Sequence, residues 1–264
     1  MILSVVQPAY YAGDNPDKLI ADFLLNNLNN AKEDELIVLP EYTNAGGLTD
    51  KDAIISALPR AKEMLDAVSE IAKEKKCYIA INVLQQRGDR LFNSTYLFSK
   101  NGNAEFCYDK VHLPPAEVDM GVCYGSGSCT CEIEGIRFAF MTCYDVYFNE
   151  QIEAIAKFKP DIIIIPGYQR GERTDIIRAQ AKLTAFRCNS FIARASYSMN
   201  DEGRGGCSLI AAPDGEILVD FGKETGVISR EINPKWKYMR TAGFGGALVR
   251  NDVFISNGIR KDLY

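Results

Sequence analysis

Three polar residues with catalytic side chains each follow directly after a short apolar segment. Glu41 follows LIVLP, Lys110 follows AEFCYD and Cys143 follows RFAFMT. In α/β folds, ligands bind beyond the carboxyl ends of the strands, so these side chains are expected to meet at one site. A carboxylate, an ammonium and a thiol together can catalyse acyl transfer. The carboxylate accepts the thiol proton, the thiolate attacks a carbonyl carbon, and the ammonium stabilises the oxyanion.

Other interpretations of the same residues are open at this point. A Glu or Lys after a strand is usually a solvated loop residue, and a Cys in an apolar segment usually belongs to the core. His112, the single histidine of the chain, lies two residues after Lys110. It is an alternative base, because a Cys–His pair is a second way to activate a thiol.

Metal and cofactor motifs are missing from the sequence. Cys107, Cys123, Cys129 and Cys131 lack the C-x₂₋₄-C spacing and the histidine partner that are typical of zinc sites. The segment Gly125-Ser126-Gly127 lacks the third glycine of a dinucleotide fingerprint, and no G-x-x-x-x-G-K-[ST] motif occurs. We therefore predict no metal and no cofactor.

The segments around these residues alternate between Val/Ile-rich strands and helices. Strands are predicted near 2–6, 36–39, 77–84, 91–98, 103–108, 129–133, 136–142, 161–165, 190–198, 207–212 and 216–221. Helices are predicted from Asn15-Pro16, after Thr49 or Asp50, and near 149–158 and 173–188. This alternation indicates an α/β fold with largely covered sheets. No linker divides the chain, so we predict one domain, 1–264, with a C-terminal extension, 233–264, that contains Trp236, the single Trp.

The composition of the 264-residue chain is that of an ordinary soluble globular protein, with 47% hydrophobic and 25% charged residues. A net charge of −5 gives no basic surplus for nucleic acid or an anionic membrane, so neither is an expected partner. No apolar run reaches the roughly 18 residues of a membrane span, and the N-terminal segment is not of the signal-peptide type. The expected compartment is the cytoplasm, where most of the eight cysteines would be reduced.

Three segments resemble, in order, the signature segments of the nitrilase superfamily, the carbon–nitrogen hydrolases. They are LPEYTNAGG at 39–47, YDKVHLPPAE at 108–117 and MTCYDVYFNE at 141–150. Two later segments fit the family as well, namely DIIIIPG at 161–167 and Gly206-Cys207-Ser208 followed by Pro213-x-Gly215. The resemblance covers nearly the whole chain.

The resemblance implies an α-β-β-α sandwich of two mixed sheets flanked by helices. It also implies a catalytic triad of Glu41, Lys110 and Cys143, with the backbone N–H of Tyr144 as the oxyanion partner. A base beside Cys143 is expected to raise its thiolate fraction and therefore its rate of alkylation. The resemblance assigns His112 to packing or to support of the site.

The family often adds a second glutamate after the lysine. Glu117 is the best match to it, and Asp119 is the alternative. The candidate substrate-binding residues are Tyr42, Tyr147, Arg173 and Arg194.

The sequence departs from the family pattern in two places. Tyr147 and Asn149 stand where the family commonly has an Arg and a Pro after the Cys. N-carbamoyl-D-amino-acid hydrolases use an Arg in this stretch to hold the substrate carboxylate, which Val146-Tyr147 cannot do. The family's Glu-Asn pair in the later helix is Cys188-Asn189 here, which puts one structural contact in doubt.

The sequence therefore predicts a cysteine-dependent hydrolase of a small linear amide or N-carbamoyl compound. It would act through a thioester and release ammonia or an amine. The alternatives are a nitrilase that uses the same residues on a nitrile, and a non-catalytic binding or regulatory member. Family members usually pair through helical faces and exchange C-terminal arms. This implies a homodimer or larger homo-oligomer in which residues after Asn233 cross to the partner.

Overall fold

The first of two six-stranded sheets contains the N-terminal strand at its interior. The computed structural model describes residues 1–260 and 262. The strand order is β12-β1-β2-β3-β4-β5, with β1 Ile2–Gln7, β2 Glu35–Val38, β3 Tyr78–Arg87, β4 Arg90–Phe98, β5 Ala104–Asp109 and β12 Gly226–Glu231. Strands β1, β2 and β3 run parallel, while β12, β4 and β5 pair antiparallel with their neighbours. The sequence analysis did not predict β12. This strand pairs with β1 at the other end of the chain, and local sequence patterns carry no information on such a distant pairing.

The second sheet has a parallel centre and antiparallel edges. Its order is β11-β10-β9-β8-β7-β6, with β6 Thr130–Ile133, β7 Ile136–Phe140, β8 Ile162–Pro166, β9 Phe191–Ala195, β10 Leu209–Ala211 and β11 Ile217–Asp220. Strands β7, β8 and β9 are parallel. Fully buried residues of both sheets, such as Leu3 and Val5 on β1 and Ile162 and Ile164 on β8, form one core between them.

Helices cover the outer face of each sheet. The helices of the described part of the chain are α1 Pro16–Leu28, α2 Lys51–Ser56, α3 Arg60–Lys75, α4 Pro115–Met120, α5 Asn149–Phe158, α6 Thr174–Cys188 and α7 Asn251–Asn257, of which α1, α3, α5 and α6 form the outer layers. Apolar residues of α1 and α3 pack on the first sheet, and those of α5 and α6 pack on the second. The predicted α-β-β-α sandwich of two mixed sheets is therefore confirmed. No helix in the described part of the chain is long and apolar enough to span a membrane.

The predicted helix starts fit the structure with one difference. Helix α1 begins at Pro16, but the Asn15 side chain makes no capping hydrogen bond, and its backbone is left-handed with φ 51°. Helix α2 is capped by Asp50, whose carboxylate accepts the Ala53 N–H. Asp50, and not Thr49, is therefore the capping residue of this helix.

The C-terminal extension docks on its own chain at both ends of a short hairpin, β13 Met239–Thr241 and β14 Leu248–Arg250. Before the hairpin, the ammonium groups of Lys235 and Lys237 contact the carboxylate of Asp161. The side chain of Asn189 is fully buried, bonds both the N–H and C=O of Tyr238, and donates to Asp252 at 2.8 Å. Asn189 of the Cys188-Asn189 pair therefore holds the extension against the end of α6.

Candidate active site

A cavity of about 550 Å³ opens where several strands of both sheets end. Glu41 lies beyond β2, Lys110 beyond β5 and Cys143 beyond β7, and all three line the cavity. Glu117, from the first turn of α4, lines it as well. The structure thus brings together the four residues that the sequence proposed for catalysis.

Cys143 is the first residue of a 3₁₀ helix, Cys143–Tyr147, at the tight turn that follows β7. Its φ of 47° is unusual for a residue with a side chain, and such strained conformations persist only when neighbouring bonds enforce them. Asp145 supplies these bonds, because its fully buried carboxylate accepts from the Thr142 N–H at 2.8 Å and from the Tyr108 hydroxyl at 2.7 Å. The N–H of Tyr144 belongs to the first turn of this 3₁₀ helix, where backbone N–H groups have no partner within the helix.

His112 lies behind this turn and does not line the cavity. Its Nδ1 is 2.9 Å from Asp145 Oδ1, and its ring stacks on Phe148 with the ring centroids 3.8 Å apart. Its backbone N–H also donates to Asp145 at 2.9 Å. This placement supports a structural role in holding the Cys143 turn, and it does not favour a Cys–His pair.

Lys110 joins the two glutamates. Its ammonium, only 1% exposed, donates to Glu41 Oε1 at 2.8 Å and to Glu117 Oε1 at 3.0 Å. Burial alone would lower the pKa of Lys110, but the negative charges of Glu41, an ionised Cys143 and Glu117 outweigh burial and hold it above its ordinary value. Lys110 is therefore a permanent cation that can stabilise negative charge in the cavity.

The two oxygens of Glu117 have different surroundings. Oε1 accepts from Lys110, from Asn93 and from the Tyr42 hydroxyl, whereas the buried Oε2 lies 3.0 Å from the Lys110 ammonium without a hydrogen bond of good geometry in the described structure. Burial raises the pKa of Glu117, the Lys110 charge opposes this, and the Glu41 charge adds to it. Since a carboxylate oxygen has two lone pairs, Oε2 can accept a hydrogen bond from a bound molecule while it stays beside the ammonium.

The Cys143 side chain is half-buried at the floor of the cavity. Burial raises the pKa of its thiol, and the charge of Glu41 raises it further. The Lys110 charge and a hydrogen bond from the Tyr168 backbone lower it, but the net pKa stays well above the ordinary value. The expected high thiolate fraction is therefore not favoured, because burial and a nearby carboxylate both oppose ionisation of the free enzyme.

Aromatic residues and one arginine form another wall. Tyr42 and Tyr168 meet edge to face with ring centroids 5.7 Å apart. The half-buried guanidinium of Arg170 lies over the Tyr10 and Tyr168 rings and donates to the Tyr10 hydroxyl at 2.7 Å. No carboxylate in the described part of the chain forms an ion pair with Arg170. The sequence analysis missed Arg170. A charged residue in a loop after a strand is usually solvated, so the sequence gave no reason to place it in the cavity.

The two arginines that were predicted to bind substrate lie outside the cavity. Arg173 is exposed and pairs with Asp175, while Arg194 is 2% exposed on β9 and donates to the carbonyls of Gly206 and Cys207. Neither lines the cavity. Their bonds are to the protein itself, so the geometry does not favour a role in substrate binding.

Tyr147 and Asp119 lie near the rim. The Tyr147 hydroxyl donates to Glu172, and Tyr147 does not line the cavity. Asp119 lines the mouth, whereas Glu117 contacts Lys110 directly, so the geometry favours Glu117 as the second carboxylate. No cluster of three or more His, Cys, Asp or Glu residues suited to a metal ion occurs within residues 1–260 and 262.

The chain is similar in sequence to a known enzyme family and to individual members of it. The chain matches the carbon–nitrogen hydrolase family over residues 5–240. It is 26% identical over 239 residues to a 2-oxoglutaramate amidase of Bacillus subtilis, covering 89% of this chain and 88% of the relative. It is 22% identical over 247 residues to an omega-amidase of Saccharomyces cerevisiae, covering 85% of each.

Solved structures show the same fold. A variant of an amidase of the nitrilase superfamily from Nesterenkonia AN1 superposes with a TM-score of 0.78 at 17% identity, covering 100% of this chain and 95% of that chain. A second solved form of that amidase carries acrylamide added to its active-site cysteine, and it superposes with a TM-score of 0.75 at 17% identity over 88% of this chain and 93% of that chain.

Proposed function

Since the chain belongs to the carbon–nitrogen hydrolase family, we propose that it hydrolyses a small linear primary amide through a thioester on Cys143. The observation that carries this proposal is the hydrogen-bonded group of Glu41, Lys110 and Glu117 in the cavity that Cys143 also lines. A carboxylate, a fixed cation and a thiol are the groups that acyl transfer requires. The products are a carboxylic acid and ammonia.

The first half of the reaction forms the thioester. Because the Cys143 pKa is raised, the resting group is a thiol, and Glu41 takes its proton as sulfur attacks the amide carbon. The oxyanion that forms is stabilised by the Lys110 ammonium and the Tyr144 N–H. Glu41 then gives the proton to the leaving nitrogen, because an amine anion is too basic to leave, and the C–N bond breaks with loss of ammonia.

The second half regenerates the thiol. Glu41, again a carboxylate, takes a proton from water, and the hydroxide oxygen attacks the thioester carbon. The C–S bond breaks, and the proton held by Glu41 returns to the sulfur. In the first half, before ammonia leaves, Oε2 of Glu117 accepts a hydrogen bond from the amide nitrogen and orients it toward Glu41.

Arg170 supports a substrate that carries a carboxylate at the end opposite the amide. It is a half-buried cation that lines the same cavity, and no carboxylate within residues 1–260 and 262 pairs with it. We propose that it binds the substrate carboxylate in place of the family arginine, which this sequence lacks after the cysteine. Tyr168, two residues before Arg170, lines the cavity together with Cys143. The amidase names of the relatives agree with this substrate class.

The test is ammonia release from four matched substrates: an ω-amide with a terminal carboxylate, the same amide with a terminal methyl group, an N-carbamoyl acid and the corresponding nitrile. The expected order of kcat/KM places the carboxylated amide first, and Arg170→Met should remove its advantage over the methyl compound. A nitrile faster than its matched amide would replace amide hydrolysis with nitrile hydrolysis. Equal kcat/KM values for the carboxylated and the methyl-terminated amide would contradict the proposal that Arg170 binds the substrate carboxylate.

We also propose that the protein forms homodimers through the tip of the β13–β14 hairpin. The residues on both sides of the hairpin dock on their own chain, but Phe244 at the tip is fully exposed, and Leu248 and Met239 are exposed beside it. Aromatic and Met side chains are typical of the centre of an interface. In sedimentation, Phe244→Ser with Leu248→Ser should convert a dimer to a monomer, and a monomeric unmodified protein would contradict the proposal.

The proposed compartment is the cytoplasm. All eight cysteines, which lie between residues 77 and 207, are free. Free thiols are typical of a reducing compartment.

A further inference from the structure

A buried asparagine contacts both carboxylates of the site through one nitrogen atom. Asn93, in the middle of β4, is 1% exposed. Its Nδ2 donates to Glu41 Oε1 at 2.7 Å and to Glu117 Oε1 at 2.8 Å. Its backbone C=O also accepts the Lys110 N–H at 2.9 Å, so this one residue touches three members of the site.

The orientation of the Asn93 amide is determined by a chain of hydrogen bonds. The backbone N–H of Tyr42, which can only donate, bonds to Asn82 Oδ1 at 2.8 Å. Asn82 must therefore point its NH₂ the other way, where it donates to Asn93 Oδ1 at 2.7 Å and to Thr95 Oγ1 at 3.0 Å. With its oxygen occupied, Asn93 can present only its NH₂ to the two carboxylates.

The charge of the site explains why this donor matters. Two buried carboxylates share one ammonium, so one negative charge is uncompensated while Cys143 is a thiol. The two carboxylates lie close together, because both bond the same Asn93 nitrogen. Like charges this close repel each other, which favours protonation of one of them. The Asn93 NH₂ donates to both Oε1 atoms and so reduces this repulsion. An amide does not ionise, so Asn93 remains a donor at every pH of interest.

We propose that Asn93 is a positioning residue that holds Glu41 and Glu117 together in their ionised forms through one shared NH₂ donor. This inference rests on the proposed amide hydrolysis. Asn93 acts through the two carboxylates and does not itself touch the substrate. Asn82 acts one step further away, because it fixes the orientation of the Asn93 amide.

The test compares Asn93→Ser and Asn93→Asp with a matched control, Asn44→Ser. Asn44 is also a fully buried asparagine, and its amide bonds only the backbone of Ala57 and Leu84. Two pH profiles are measured for each variant: kcat/KM for the carboxylated amide, and the rate of Cys143 alkylation by iodoacetamide followed by peptide mass analysis. The alkylation profile needs no turnover, so it separates failure of this inference from failure of the proposed function.

The Asn93 variants should move the acid limb of kcat/KM and the midpoint of alkylation to higher pH by about one unit, because the carboxylates lose a shared donor. Turnover should fall roughly 10- to 100-fold. Asn44→Ser should lower the melting temperature and move neither profile. If Asn93→Ser does not fold, Asn93→Asp, which keeps the shape of the side chain, gives the result. If a folded Asn93 variant shows the same pH profiles of kcat/KM and of alkylation as Asn44→Ser, the proposal is overturned.

Discussion

Replacement of Lys110 by methionine should make the stability of the protein depend strongly on pH. Methionine keeps most of the length and volume of the side chain and removes only the charge. The buried carboxylates of Glu41 and Glu117 would then face each other without the ammonium that lies 2.8 and 3.0 Å from their oxygens. Asn93 alone would remain as their shared hydrogen-bond donor.

The magnitude follows from these distances. At an effective dielectric constant of about 20, each contact is worth roughly 6 kcal/mol of attraction before the desolvation of the charges is subtracted. The net cost of removing one partner from a buried pair is about 3–5 kcal/mol. This full cost applies only where both carboxylates stay ionised.

Protonation of Glu117 determines the sign of the pH dependence. Burial and the Glu41 charge already raise its pKa, and the loss of Lys110 removes the group that lowers it. Between the unfolded value of about 4.3 and the folded pKa, the folded variant binds more protons than the unfolded chain. The unfolding free energy therefore falls as pH rises, by up to about 1.4 kcal/mol per pH unit for one proton.

Urea unfolding followed by circular dichroism at pH 5, 6, 7 and 8 measures this effect. The difference in stability between wild type and Lys110→Met should be small at pH 5 and should grow toward about 3–5 kcal/mol at pH 8. Amide turnover should fall by about 10²–10³ at every pH. Lys51→Met is the control, since Lys51 lines the same cavity but contacts only the Asp119 carbonyl. A difference that stays constant from pH 5 to 8 would refute the coupling of the two carboxylates to Lys110.

Three further outcomes test other parts of the site. Alkylation of Cys143 should reach half its maximal rate above the ordinary thiol pKa of about 8.5, and Glu41→Gln should move this midpoint down, because the Glu41 charge raises the thiol pKa; a midpoint unmoved by Glu41→Gln would contradict this electrostatic cause. His112→Ala should lower the unfolding free energy by about 1–3 kcal/mol through loss of its bond to Asp145, yet reduce kcat less than Cys143→Ala; equal losses in a folded protein would favour a Cys–His mechanism. Glu117→Gln should reduce ammonia release from amides more than it reduces Cys143 alkylation, and the reverse order would remove its role in orienting the amide nitrogen.

The order of elements followed from the sequence because hydrophobic periodicity is a local property. Helix α5 was predicted over the residues that it occupies, 149–158, and the central strands were predicted within a few residues of their observed bounds. Strand β12 and the β13–β14 hairpin were missed, since their largely exposed residues carry no strong periodic signal. Glu41, Lys110 and Cys143 were found for the same local reason: each stands at the end of an apolar strand.

The tertiary structure decided which side chains meet. The asparagine that bonds both carboxylates is 52 residues from Glu41 and 24 from Glu117. In its strand, LFNSTYLF, it is one of three consecutive polar residues, and nothing local distinguishes it from Ser94 and Thr95. Arg194 lies in a strand whose inner and outer faces the sequence could not assign, and the fold buries it against backbone carbonyls. The sequence determines the residue types directly, and it indicates the strand ends because these depend mainly on neighbours along the chain. The contacts that tune charge in the cavity depend on how separate strands and loops pack, so only the folded chain defines them.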